Sequence, residues 1–425
     1  MRSYLLLLFF IQGITLFGQR LTEKKIKKQL NTIAAFNQAH VALFVQQQDN
    51  TKKLIDYQGS NYMTPASNIK LLTFLAAQQQ FDSLPALFYH AKGDSLIQFT
   101  SSGYPLLFHP LYPDSTMHAF FKKGVQWEYI SHSKGPPSSG EGWSWDDYKY
   151  YFAAPKSIFP IYGNTLQVVK RNNEIQVNPP CFNIAESKDS MTPKIHRDIY
   201  QNRFVINTTL WKENDTVYHP FIPSESLLVS MLSSALKTTV RKGDITSPSN
   251  QWETLYTNAD EKLYRALLQN SDNGIAEALL LMIANKINGE MQTKLAIDTI
   301  LKEWNTWLPD PVEWVDGSGV SRYNMITPRT LVKVLQKIYN SIGWQEITTL
   351  FPQGGVSGTI KGYTFPNVYA KTGTLRHNHN LSGYLINNKG KLLVFSIMVN
   401  HFTAPDSEVK KGIGELLLWI QKKLK

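Results

Sequence analysis

Residues 64–70 read Thr-Pro-Ala-Ser-Asn-Ile-Lys, and Leu71, Leu72, Phe74 and Leu75 continue the stretch as an apolar run. Proline is tolerated in the first turn of a helix, where its missing N–H has no partner to lose, so Pro65 marks a helix start. The spacing predicts a buried helix with Ser67 near its N-terminus, where backbone N–H groups and the helix dipole favour developing negative charge. Lys70 follows one turn later, on the same face as Ser67. A serine hydroxyl is a poor nucleophile until a neighbouring base takes its proton. Lysine can be that base only if burial or a second cation lowers its pKa.

Two further motifs follow in order. Ser271-Asp272-Asn273 (S-x-N) precedes an apolar helical pattern over 273–286, and Lys371-Thr372-Gly373 (K-T-G) lies in a strand-like run over 368–375. Each motif alone arises by chance. The ordered set S-x-x-K, S-x-N, K-T-G, each in a fitting local structure, resembles that of penicillin-binding proteins and class A β-lactamases. The chemistry then assigns parts. Lys371 supplies a second cation near Lys70, Ser271 relays a proton to a leaving amine, and Asn273 holds a substrate amide and orients Lys70. Backbone N–H groups of Ser67 and Thr374 meet the oxyanion. Thr372, Gly373 and Thr374 form the substrate-binding strand, with the two hydroxyls and Lys371 facing a terminal carboxylate.

More of the chain carries a closer resemblance. Asp316 to Arg322 (DGSGVSR) with Tyr323-Asn324, then GVSGTI over 355–360, AKTGTL over 370–375 and SGY over 382–384, resemble the multidomain D-Ala-D-Ala carboxypeptidase/endopeptidase family of low-molecular-mass penicillin-binding proteins. About 200 residues separate Ser67 from Ser271, which matches that family's large insertion. Within it, GWSWDDYKYYFAAP over 142–155 is similar to a family segment. The resemblance implies an α/β (α+β) fold, a serine β-lactamase/DD-peptidase-like sheet flanked by helices with a β-rich insertion between the first two motifs. It implies a serine-type D-Ala-D-Ala carboxypeptidase or endopeptidase acting on peptidoglycan stem peptides through a Ser67 acyl-enzyme. It further implies inhibition by β-lactam antibiotics, no cofactor and no metal, and an Asp147 that meets the amino group of a diaminopimelate side chain. One departure is Gly103-Tyr104-Pro105, where relatives carry G-D-P; a local effect within the insertion is expected.

The rest of the sequence agrees with this organisation. Arg2 and the apolar run over 4–11 (YLLLLFFI), ending before Gly18, read as an export signal over 1–18, which predicts a periplasmic protein. No cysteine follows the run, so lipid attachment there is excluded. Strand patterns at 40–47, 53–57, 368–375, 380–386 and 391–400 suggest one sheet completed by both ends of the chain. Helical patterns occupy 224–237, 261–268, 273–286, 291–304, 328–342 and 406–425. The expected domains are therefore a peptidase body over 19–82 and 224–425 and an insertion over 83–223, rich in aromatics, proline and turn signals.

The net charge of +11 suits anionic polymers or peripheral contact with a membrane surface, although the lysines are spread over helix faces, and export excludes nucleic acid. Cys181 is the only cysteine, so no intrachain disulfide or cysteine-based zinc site can form, and it reads as a packed thiol. His377 and His379 would share a face if extended, but no third metal ligand is adjacent, and a place at the cleft lip competes. Asp316, Ser318 and Arg322 read as loop scaffolding. Two alternatives remain open. A β-lactamase would need a deacylating glutamate, and neither Glu303 nor Glu313 stands in an E-x-x-L-N context. A non-enzymatic peptidoglycan-binding scaffold would have no need of the intact motifs.

Overall fold

The computed structural model describes residues 21–49, 52–121, 125–131, 135–243 and 252–424; the expected export signal lies outside the described residues. A five-stranded antiparallel sheet runs in the order Val368–Leu375, Asn378–Ile386, Leu392–Asn400, His40–Gln47, Lys53–Tyr57. The C-terminal strands thus lie beside the N-terminal pair, as the strand patterns at the two ends predict. Both faces are covered. Leu43, Val45, Phe395 and Ile397 pack under the helices Glu23–Leu30 and Asp406–Lys423. Ala42, Phe44, Val394 and Met398 face the main core with the helices Lys70–Gln80, Asn273–Asn288 and Pro328–Leu350. The alternation of the two sets along each strand is the period-2 consequence of the pleat. The last of those helices runs past the expected end at 342, because Gly343 (φ 75°) absorbs a break within it.

The chain between the serine helix and the S-x-N motif forms three further sheets. Thr216–Pro220, Thr165–Arg171 and Glu174–Asn178 make one, and Ile184–Ser187, Phe204–Asn207 and Ile195–Arg197 another. The third runs Val240–Lys242, Gln126–Tyr129, Leu96–Ser101, Pro85–Lys92, Glu253–Tyr256. A boundary at 223/224 would cut this last sheet, since Glu253–Tyr256 pairs with Pro85–Lys92 and Val240–Lys242 with Gln126–Tyr129. We propose that the insertion runs to about 256, where the chain turns into the helix Asp260–Leu268. Tyr104 of the departing G-Y-P triplet is fully buried, and its hydroxyl donates to Asp114 (2.8 Å) and meets Thr257 (2.9 Å).

Candidate active site

Ser67 does not sit on a regular α-helix. It lies in a 3₁₀ turn, Ala66–Ile69, that leads into the α-helix from Lys70. In a 3₁₀ turn side chains at i and i+3 nearly eclipse, and Lys70 Nζ comes within 2.9 Å of Ser67 Oγ. Ala66 is held at φ 48°, a conformation rarely adopted by a residue with a Cβ. Two close backbone approaches hold it there. A Cβ on Gly319 would lie 2.0 Å from the Ala66 carbonyl oxygen, and one on Gly373 2.2 Å from that of Pro65. Side-chain amides anchor the same turn to the sheet: Asn68 donates to the Lys371 carbonyl (2.7 Å), and Asn380 donates to the Thr64 and Pro65 carbonyls (2.9 Å each).

Lys70 is wholly buried, and its Nζ also donates to Asn273 Oδ1 and to the Ser318 carbonyl, both at 2.6 Å. Burial pulls its pKa down to about 8, against the opposing charges of Asp316, Asp272 and Glu277. Of the two causes expected to lower it, burial leads. The Lys371 pKa is driven well below the ordinary lysine value by burial and then by the charge of Lys70. Lys371 Nζ donates to Ser271 Oγ (2.7 Å) and to the Thr372 carbonyl (2.9 Å). The three motifs therefore converge, with Ser67, Ser271, Asn273, Thr372 and Thr374 lining one cleft of about 760 Å³.

The DGSG loop supplies a part that sequence reasoning gave only to scaffolding. Its backbone carbonyl at Ser318 accepts from Lys70 and lies 3.3 Å from Ser67 Oγ. Buried Asp316 organises the loop by accepting from Gly319 N (2.8 Å), Ser321 N (2.6 Å), Asn324 Nδ2 (2.7 Å) and Trp143 Nε1 (2.8 Å). From behind, Glu277 accepts from Ser318 N (2.9 Å) and pairs at 3.8 Å with Lys156 of the insertion; burial and the charge of Asp316 raise the Glu277 carboxyl to about 7. A lone carboxylate in the apolar helical run around Ala276 and Ala278 was a visible signal for this residue.

The insertion also forms a wall of the cleft. Asn273 Nδ2 donates to the Phe152 carbonyl (2.7 Å), which fixes the amide so that Oδ1 faces Lys70. The Tyr151 hydroxyl donates to Asp272 beside it. Asp147 lines the cleft with Arg322, half-buried on a 3₁₀ turn; burial raises its pKa while Arg322 and Lys149 lower it. His377 and His379 part company. His377 occupies the hairpin turn (φ 65°) and contacts the Phe402 carbonyl, whereas His379 is buried on the strand next to the K-T-G strand. No group of three metal-ligating side chains occurs among the described residues. Cys181 is half-buried, and burial raises its thiol pKa.

The family model for the D-Ala-D-Ala carboxypeptidase 3 (S13) family matches residues 22–85 and 132–421. A D-alanyl-D-alanine carboxypeptidase, DacB, from Haemophilus influenzae is 26% identical over 431 residues, covering 86% of this chain and 87% of that protein. The crystal structure of penicillin-binding protein 4 from Haemophilus influenzae covers 94% of this chain and 98% of its own, with a TM-score of 0.70 at 21% identity; the same protein has been solved with a β-lactam. A predatory peptidoglycan endopeptidase from Bdellovibrio bacteriovorus matches over 91% of this chain and 93% of its own, at a TM-score of 0.56 and 14% identity.

Proposed function

The chain belongs to the D-Ala-D-Ala carboxypeptidase 3 (S13) family and is a serine-type D-Ala-D-Ala carboxypeptidase, and from that premise we propose the roles of its residues. Ser67 is the nucleophile and neutral Lys70 its base. The observation that carries this is the set of partners around Lys70 Nζ. A neutral amine has two N–H donors and one lone pair. The acceptors Asn273 Oδ1 and Ser318 O, each at 2.6 Å, take the two donors, and the third direction is Ser67 Oγ at 2.9 Å. The lone pair then faces the hydroxyl whose proton must leave.

As Ser67 Oγ attacks the carbonyl carbon of the penultimate D-Ala, its proton passes to Lys70. The backbone N–H groups of Ser67 and Thr374 receive the oxyanion. Ser271, bonded to Lys371, delivers a proton to the departing amine, and water later hydrolyses the ester. If the departing amine is free D-Ala the reaction is a carboxypeptidase step; if it belongs to a diaminopimelate crosslink it is an endopeptidase step. Thr372 and Thr374 bind the terminal carboxylate of the first kind of substrate. A β-lactam would acylate Ser67 in the same way, its ring opening in place of peptide cleavage, and the solved β-lactam complex of the Haemophilus influenzae protein supports that reading. Neither Glu303 nor Glu313 lines the cleft, so neither is placed to activate a deacylating water at Ser67.

Peptidoglycan lies outside the cytoplasmic membrane, which agrees with an exported, periplasmic protein. No described helix is long and apolar enough to cross a membrane. The test is release of D-Ala from a pentapeptide stem that carries a free side-chain amine. The wild type should release it. Asp147→Asn should lose about tenfold in kcat/KM on that stem, the range of one exchanged charge-assisted contact. Its activity on the same stem with the amine acetylated should stay within about twofold. Equal loss on both stems would remove Asp147 from substrate recognition.

A further inference from the structure

His379 lies opposite Thr374 on the neighbouring strand, and residues so paired share a face of the sheet. The imidazole is buried, with 1% exposure, while Thr374 is exposed to the cleft beside Ser67. Both ring nitrogens are engaged. Thr374 Oγ1 is 2.7 Å from Nδ1, and the Tyr363 hydroxyl is 2.7 Å from Nε2. A three-member chain, Tyr363–His379–Thr374, therefore runs from behind the K-T-G strand into the substrate cleft.

The order of protons along it follows from acid–base strength. Burial, with the charge of Lys410 adding, lowers the imidazole pKa to about 3, so the ring is neutral and has one donor and one acceptor. Burial raises the Tyr363 pKa, so the phenol keeps its proton. A phenol O–H is a better donor than acceptor, and an imidazole nitrogen is a better acceptor than a phenol oxygen. Tyr363 accordingly donates to Nε2, which puts the single ring proton on Nδ1. Nδ1–H then donates to Thr374 Oγ1, and the threonine proton is free to point into the cleft. In the opposite order Thr374 would direct its proton at Nδ1 and show only lone pairs to a substrate, a repulsive face for an anion.

We propose that His379, held as the Nδ1–H tautomer by Tyr363, is a positioning residue that makes the Thr374 hydroxyl a donor to the terminal carboxylate of the substrate. The proposal rests on the reading of Thr374 as a carboxylate contact. Neither Tyr363 nor His379 belongs to the three motifs, so this device is a property of the chain's own sequence around them.

The experiment compares kcat/KM for a peptide ending in D-Ala-D-Ala with that for its C-terminal carboxamide, which needs no such donor. His379→Leu should lose about ten- to a hundredfold on the carboxylate, mostly in KM, and less than about threefold on the carboxamide. His379→Asn, whose amide nitrogen can replace Nδ1–H, should recover most of the loss. In a double variant, His379→Leu with Thr374→Val should be no worse than Thr374→Val alone. Equal losses on both peptides, additive losses in the double variant, or no rescue by asparagine would each overturn the proposal. The underlying reading is separated by Thr374→Val. If that variant keeps its carboxylate preference, both readings fall. If it loses the preference while His379→Leu keeps it, only the role of His379 falls.

Discussion

Lys70→Met is expected to lower the rate of Ser67 acylation by about a thousandfold at neutral pH, within the range for loss of a general base. Methionine nearly matches the length of the lysine stem and fills the same buried slot, so the change removes proton acceptance with little loss of packing. The wild-type pH profile supplies the complementary evidence. Only the neutral amine accepts a proton, and the neutral fraction grows as pH rises through the pKa. With Lys70 at about 8, kcat/KM should climb about tenfold per pH unit well below that value and level off above it. Stopped-flow acylation between pH 5.5 and 9.5 measures both quantities. A rate that falls through pH 8, or a Lys70→Met enzyme within tenfold of wild type, would remove Lys70 from the role of base.

Asp316→Ala carries the largest expected structural effect. The carboxylate is buried and accepts from two backbone N–H groups, one amide and one indole. Each buried donor left without a partner costs about 1–3 kcal/mol, and water entering the space offsets part of the sum. A net destabilisation of about 3–5 kcal/mol is expected, the range for breaking a buried charged network. The loop also carries the Ser318 carbonyl that orients Lys70, so kcat/KM should fall about a hundredfold even where the variant is folded. Thermal melting together with kinetics below the melting point separates the two effects. Asp316→Asn keeps the volume and part of the acceptor set, and should fall between wild type and alanine. Unchanged melting in the alanine variant would show that the loop is held by other contacts.

The parts of the molecule legible in sequence are those where chemistry is local. Pro65, Ser67 and Lys70 fall within one turn, and the K-T-G strand alternates as a strand should, so both could be placed from spacing. The strands at 40–47 and 392–400 were legible too, each being long and mostly apolar on both faces. The remainder depends on contacts across the chain. The acceptor at Ser318 is a backbone carbonyl, which no side-chain pattern encodes. Asn273 is fixed by the Phe152 carbonyl, 121 residues away, on a segment whose packing was not predictable from composition. The strands beyond 223 that pair with the insertion's sheet were not legible, because Val240–Lys242 and Glu253–Tyr256 have too few residues to show alternation, and the helix Glu225–Leu236 before them looks like part of the helical body. The 3₁₀ form of the serine turn was hidden too, because the approaches of Gly319 and Gly373 that hold it come from distant loops.

The central claim is that Ser67 forms the acyl-enzyme, and intact mass of the purified protein after incubation with a labelled penicillin tests it most directly. The account predicts one stable adduct, of the mass of one penicillin, on the wild type and none on Ser67→Ala. An adduct of equal yield on both proteins, or no adduct on the wild type together with D-Ala release that survives Ser67→Ala, would contradict it.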